Sequence, residues 1–148
     1  MQDDLVIRKW YNCVVVFLLG VDLLLQRLAL TGVEVGNDAV RFALLKNDGI
    51  FFQWHPSMVV VWVVIFPVAG FVVALWIHSL RQTSVREAAA WTMVILGAAS
   101  NILDRLLFGF VVDYIHLWIF PVFNLPDLLI LGGVLFLFFI HREQNLPA

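Results

Sequence analysis

The stretch GAASNILDRLLFGFVVDYIHLWIFPVFNLPD, Gly97 to Asp127, concentrates polar groups inside a chain that is otherwise nearly continuous hydrocarbon. It closes one long apolar run, crosses a connection and opens the next run, and Asp104, Asp113 and Asp127 mark those three places. A carboxylate held near lipid is costly, so each is a candidate functional group unless it is simply paired. Asp104 adjoins Arg105 and is expected to be neutralised there. Asp113 and Asp127 have no basic neighbour in sequence and are the leading candidates for chemistry.

The rest of the chain sets the environment of that stretch. Of 148 residues, 62% are hydrophobic and 14% charged, and the mean hydropathy is +0.94. Those values lie far from the soluble average and imply an integral membrane protein of one domain, residues 1–148. A net charge of -2 leaves neither a basic footprint for nucleic acid nor an acidic tail. Cys13, alone in an apolar run, reads as a small buried hydrophobe. Arg8 and Lys9 precede the first run as in a cleavable signal peptide. No small-residue cleavage site follows it, and Asp22 and Arg27 interrupt its far end, so it is expected to be a retained membrane anchor.

Apolar runs recur at about 10–30, 59–77, 88–107 and 125–140. A helix of about 20 residues crosses a hydrocarbon core of about 30 Å. The economical fold is therefore an all-α membrane protein with four transmembrane helices. Pro67 should kink the second helix rather than break it, because neighbouring helices satisfy the freed carbonyl. With the N-terminus inside, Arg8, Lys9, Arg81, Arg86 and Arg142 fall on the cytoplasmic side, against Arg27, Arg41, Lys46 and Arg105 outside. That bias favours both termini in the cytoplasm. It also places Asp22, Asp104, Asp113 and Asp127 at the outer face, a convergence the count did not assume.

The outer connection 31–57 is rich in turn formers: Gly32, Gly36, Asn37, Asp38, Asn47, Asp48 and Gly49. Val33 to Val35 and Ile50 to Trp54 are expected as short strands of a small extracytoplasmic β-rich loop on the membrane surface. Phe51, Phe52 and Trp54 suit the interface. In the third helix, Gly97, Asn101, Asp104 and Arg105 are spaced four, three and one apart and share a face. Gly97 and Ala98 permit close approach of another helix, with Asn101, Asp104 and Arg105 as a polar strip at the end of the seam. Interhelical hydrogen bonding alone is the simpler alternative for Asn101 and Asp104.

After Gly109 an aromatic segment, Ile115 to Phe123, should lie in the interface, and Asp113 on an interfacial loop would be driven toward its protonated form. Asn124 is a suitable N-cap and Pro126 suits the first helical position, which puts Asp127 in the first turn of the last helix, where the helix dipole favours its anion. Two aspartates brought together cannot both ionise cheaply, and the pair then supplies one acid and one base for the attack of water on a peptide carbonyl. Such a pair needs no metal and no cofactor. His55, His78, His116 and His141 are scattered without ligand spacing, and the serines lack a base partner in sequence.

At these residues the chain resembles the lipoprotein signal peptidases, the bacterial signal peptidases of type II. The family's N-x-x-D-R followed by V-x-D is matched by Asn101, Asp104, Arg105, Val111 and Asp113, and its F-N-x-A-D by Phe123, Asn124, Leu125, Pro126 and Asp127. The resemblance implies a four-helix membrane aspartyl endopeptidase that removes the signal peptide from a prolipoprotein just before a diacylglyceryl-modified cysteine. It implies Asp113 and Asp127 as the catalytic pair, with Asp22, Asn47, Gly49, Asn101, Asp104, Arg105 and Asn124 binding substrate or supporting the site. Its partners would be lipid-modified prolipoproteins and membrane lipids, with no nucleic acid and a monomer favoured, and its place the bacterial inner membrane.

Two further motifs match in part. N-x-G-A-A-F falls on Asn47, Asp48, Gly49, Ile50, Phe51 and Phe52, with large residues where small ones stand in the pattern. D-x-x-S/T-K falls on Asp22 to Gln26, with Leu25 and Gln26 where a hydroxyl and a lysine stand; Arg27 carries a charge one position on, about 100° around the helix. These departures and Pro126 mark a divergent member, its aspartate pair intact, for which either a changed preference for the residues before the cysteine or a different substrate is expected. The alternatives are a homologue that binds lipoprotein signal segments without cleaving them, and a small proton-coupled four-helix transporter using Asp22. The transporter reading expects a mid-helix carboxylate and leaves FNLPD unexplained.

Overall fold

A computed structural model of the chain describes residues 2–49, 58–81 and 85–144. Four helices carry it: α1 (Gln2–Leu30), α2 (Met58–Arg81), α3 (Val85–Phe108) and α4 (Leu125–Gln144). Each contains a segment long and apolar enough to cross a membrane, namely Trp10–Leu30, Trp62–Ser79, Val85–Phe108 and Leu125–Arg142. The expected all-α membrane architecture is the one observed. α2 runs unbroken through Pro67.

α3 is the hub of the bundle, packing against α1, α2 and α4. Its seam with α4 depends on missing side chains. A Cβ on Gly97 would lie 2.6 Å from the Pro126 carbonyl oxygen and 2.9 Å from Ile130 Cγ1, and one on Gly133 would lie 2.7 Å from the Ala90 carbonyl oxygen. Only glycine lets the two backbones meet there. Elsewhere the helices turn large apolar side chains outward, among them Phe17, Phe66, Phe71, Leu107 and Phe138, the surface expected where the solvent is lipid. Cys13 is also exposed, so the reading of it as a buried hydrophobe is corrected.

Where α1 and α3 end and α4 begins, three strands form an antiparallel sheet in the order β1 (Val35–Gly36), β2 (Val40–Asn47), β3 (Val111–Leu117). The expected strand at Val33 to Val35 is shifted to Val35–Gly36, and the one at Ile50 to Trp54 lies outside the described residues. The central strand β2 was not anticipated, nor was β3, where a loop and an interfacial aromatic segment were expected. Asn37 turns the first hairpin, its side-chain oxygen accepting from the N–H groups of Ala39 and Val40. The chain then leaves β3 through exposed Trp118, Ile119 and Phe120 and returns, Phe123 pairing with Ile115. That return brings Asn124 and the start of α4 alongside β3.

The sheet rests on a small core of Ala29, Val112 and Tyr114, with Leu25, Phe42, Leu44, Phe110, Ile115 and Leu125 packed around it. Burial of these side chains stabilises the sheet end of the bundle at about 25 cal/mol per Å² of apolar surface. It also clamps β3 between the sheet and the helices.

Candidate active site

Gly109, at φ 81° with its N–H on the Arg105 carbonyl, ends α3 and turns the chain into β3. The first four residues of β3 are buried, Asp113 among them. Asp113 therefore stands on a strand, where a loop was expected. Between Phe42 and Leu45 the register slips, three steps on β2 answering two on β3, and the irregularity leaves Asp113 opposite Leu45. Asn47 pairs with Val111, which makes it the diagonal neighbour of Asp113 on one face. Its Nδ2 donates to Asp113 Oδ2 at 2.8 Å. Asp113 Oδ1 is buried and has no hydrogen-bond partner among the described residues. Burial, opposed by the Asn47 bond and reinforced by the charge of Asp127, pushes the Asp113 carboxyl up to about 7.

Asp127 comes from the first turn of α4. Asn124 caps that helix: its side-chain oxygen accepts from the Asp127 N–H at 2.9 Å, and Asp127 Oδ2 accepts in return from the Asn124 N–H at 3.3 Å. This is a reciprocal capping box, which fixes the Asp127 backbone and one carboxylate oxygen together. Leu125 occupies the first helical position and Pro126 the second, one place later than expected. Pro126 still costs the helix nothing there, since the first four N–H groups have no intrahelical acceptor. The other oxygen, Asp127 Oδ1, accepts from Asn101 Nδ2 at 2.8 Å. Fully buried Asn124 links the two walls, giving Nδ2 to Asn101 Oδ1 at 2.9 Å and to the Val112 carbonyl at 3.4 Å.

The expected polar strip on α3 is divided among three neighbours. Asn101 faces α4. Arg105 gives Nη2 to the Gly49 carbonyl at 2.8 Å and Nη1 to the Asn101 carbonyl at 3.2 Å, so it tethers the end of the β2 connection to α3. Gly49 also donates its N–H to Asn47 Oδ1 at 3.1 Å, which orients the amide that meets Asp113. Asp104 is not held by Arg105, as its sequence neighbour suggested. Its Oδ2 accepts from the Val112 N–H at 3.0 Å and from Gln26 Nε2 at 3.2 Å, because the carboxylate points across the bundle toward α1 and β3.

Asp22 lies in a second cluster behind this one. Oδ1 accepts from the Tyr114 hydroxyl at 2.7 Å, and Oδ2 accepts from Gln26 Nε2 at 3.0 Å and Ser100 Oγ at 3.2 Å. Tyr114, buried and donating to Asp22, holds its phenolic proton more tightly than usual, and its oxygen accepts from the Leu125 N–H at 3.1 Å. Arg27 is exposed and does not replace the missing charge. His116 contacts the Ala43 carbonyl through Nε2 at 2.9 Å, a strand-to-strand contact. Tyr114 and Ser100 were not selected from sequence; the only signal was that each lies within a few residues of a candidate.

The geometry thus gathers Asp113, Asp127, Asn47, Gly49, Asn101, Arg105 and Asn124 into one site, and places Asp22 and Asp104 directly behind its β3 wall. A profile described as signal peptidase (SPase) II matches residues 14–142 of the chain. A lipoprotein signal peptidase of Blochmanniella pennsylvanica is 33% identical over 104 residues, 68% of this chain and 59% of that protein. One from Buchnera aphidicola subsp. Acyrthosiphon pisum is 26% identical over 154 aligned positions, 90% of this chain and 92% of that protein. A solved structure described as a bacterial membrane enzyme has the same fold, with a TM-score of 0.77 at 19% identity, covering 93% of this chain and 90% of that one. The chain belongs to the signal peptidase II family.

Proposed function

We propose that this protein is a membrane aspartyl endopeptidase that removes signal peptides from diacylglyceryl-modified prolipoproteins, with Asp113 and Asp127 as its catalytic pair. The observation that carries the reading is the contrast between the two carboxyls. Both oxygens of Asp127 are occupied by donors at a helix N-terminus, an arrangement that suits the anion. Asp113 is buried, accepts from the Asn47 amide through one oxygen, and has its other oxygen with no partner among the described residues. Asp127 is the base and Asp113 the acid.

The reaction follows from those roles. Water loses a proton to Asp127 as its oxygen attacks the scissile carbonyl carbon, and Asp113 gives its proton to the carbonyl oxygen. The resulting neutral diol collapses: the C–N bond breaks, Asp127 passes its proton to the leaving amine, and a diol hydroxyl returns a proton to Asp113. Both carboxyls end as they began. Asn47, Asn101 and Asn124 hold the pair, and Arg105 with Gly49 shapes the wall over it.

In this reading the four helices lie in the bacterial inner membrane with both termini cytoplasmic. The sheet lies at the outer face, and Trp118, Ile119 and Phe120 sit at the interface where a lipid-modified cysteine arrives. The test is cleavage of a diacylglyceryl-modified prolipoprotein by the purified chain in detergent, beside Asp113→Asn and Asp127→Asn. Each variant should lose turnover by about 10²-fold or more, the scale of a single general acid or base. Turnover retained in either variant rules out the pair. A wild-type protein that binds the substrate without cleaving it identifies a signal-segment binder instead.

A further inference from the structure

Gln26 is 4% exposed and sits between two buried carboxylates. Its amide carries two hydrogens, and both are used: one goes to Asp22 Oδ2 at 3.0 Å, the other to Asp104 Oδ2 at 3.2 Å. Those two aspartates hold the residues on either side of Asp113. Asp104 accepts from the Val112 N–H, and Asp22 accepts from the Tyr114 hydroxyl. The strand on which Asp113 stands is therefore pinned, one residue before and one residue after, to acceptors that a single α1 side chain spans.

We propose that Gln26 is a positioning residue for Asp113: an uncharged bridge that sets the strand through Asp22 and Asp104 without adding a cation to the cluster. The proposal rests on the peptidase reading above. The charged and titratable groups gathered there are Asp22 from α1, Asp104 and Arg105 from α3, Asp113 and Tyr114 from β3, and Asp127 from α4. Arg105 is the one cation of that set among the described residues. The resembled motif carries a lysine at the position of Gln26. Here the two donors are kept and the charge is gone, so Asp113 keeps its proton to a higher pH than it would beside a second cation.

The experiment compares the full-length purified protein with Gln26→Met, Gln26→Lys and Asp113→Asn, measuring kcat, KM and melting midpoint from pH 5 to pH 9. Gln26→Met, similar in length and without donors, should melt cooperatively and lose kcat about tenfold or more with KM within about twofold, the loss expected when a reacting group is displaced rather than substrate binding weakened. Gln26→Lys restores the donors and should recover most of that kcat. Its added cation should move the alkaline limb of the pH profile down by about half a unit to one unit, the Coulomb effect of a charge within about 10 Å in a partly polar site. The pH dependence of melting should move in the same direction, a readout that needs no turnover. Wild-type kcat in Gln26→Met, or an unmoved limb and an unmoved melting profile in Gln26→Lys, overturns the bridge. Should Gln26→Met fail to fold, the Gln26→Lys profile decides alone. An inactive wild type, or an active Asp113→Asn, overturns the peptidase reading and leaves the melting profile to judge the bridge.

Discussion

Replacing Asp113 by Asn should make the protein inactive and, at alkaline pH, more stable. The carboxyl has an ordinary value of 3.8 and is pushed up to about 7 in the fold, chiefly by burial. The native state thus holds the proton more tightly than the unfolded chain does, and wild-type stability falls as pH rises from about 4 to about 7. Integrating that linkage, the carboxyl disfavours the fold by about 2 kcal/mol at pH 5 and by about 4 kcal/mol at pH 8. An Asn side chain has no such dependence. Its carbonyl can still accept from Asn47 Nδ2, while its NH2 takes the buried place of an oxygen with no partner among the described residues, at a cost of about 1–3 kcal/mol that does not vary with pH. The stability of Asp113→Asn relative to wild type should therefore rise by about 2–3 kcal/mol between pH 5 and pH 8, whatever its offset. Unfolding in detergent, followed through the chain's 6 tryptophans at both pH values, measures this directly. Parallel pH dependence in the two proteins would refute both the buried, proton-holding Asp113 and its assignment as the acid.

Gly97→Ala should lower stability by about 1–3 kcal/mol and depress kcat, because its Cβ would press on the Pro126 carbonyl and shift the turn that carries Asp127. Gly20→Ala, with nothing within 4 Å of the added carbon, is the control; equal melting of the two variants would remove the seam argument. Arg105→Ala should raise KM by about tenfold or more, with a smaller change in kcat, since it frees the Gly49 carbonyl and the wall over the pair from a charge-assisted bond. Unchanged KM would assign Arg105 no part in holding substrate.

The helices and the capping of α4 were legible because they follow from local rules. Long apolar runs read as spans, and Asn-Leu-Pro-Asp reads as a helix start, with the exact place of Pro126 missed by one position. Strand β2 was not legible for an equally local reason. Its centre, Ala43-Leu44-Leu45-Lys46, has weak β propensity, and its identity comes from pairing with β3 some 70 residues away in sequence. The brackets were in view, since Asn37-Asp38 and Asn47-Asp48-Gly49 are turns on either side of an eight-residue run. Asp104 was misjudged through adjacency. Neighbours on a helix point about 100° apart, so Arg105 beside it in sequence faces the Gly49 connection while Asp104 faces Gln26 and Val112. Gln26 stood out only as a departure from a pattern, and its place between two carboxylates needed the bundle to be assembled.

The choice of donors around the four aspartates bears on how a pair of carboxyls can trade a proton at all. Asn47 serves Asp113, Asn101 and the Asn124 N–H serve Asp127, Gln26 serves Asp22 and Asp104, and Tyr114 and Ser100 complete Asp22. Every one of these donors is neutral. Arg105, the cation of this cluster among the described residues, gives its hydrogen bonds to two backbone carbonyls instead. A guanidinium bonded directly to a carboxylate holds that group ionised by several kcal/mol in a site of low dielectric, whereas an amide bond fixes its position with a far smaller bias between charge states. An acid that must give up a proton and take it back within one turnover needs that second arrangement. Held by the Asn47 amide, Asp113 would keep its place in both charge states of the proposed cycle. In the proposed mechanism, Arg105, set back from both carboxyls, would compensate the negative charge that passes between Asp113 and Asp127 without pinning it to either.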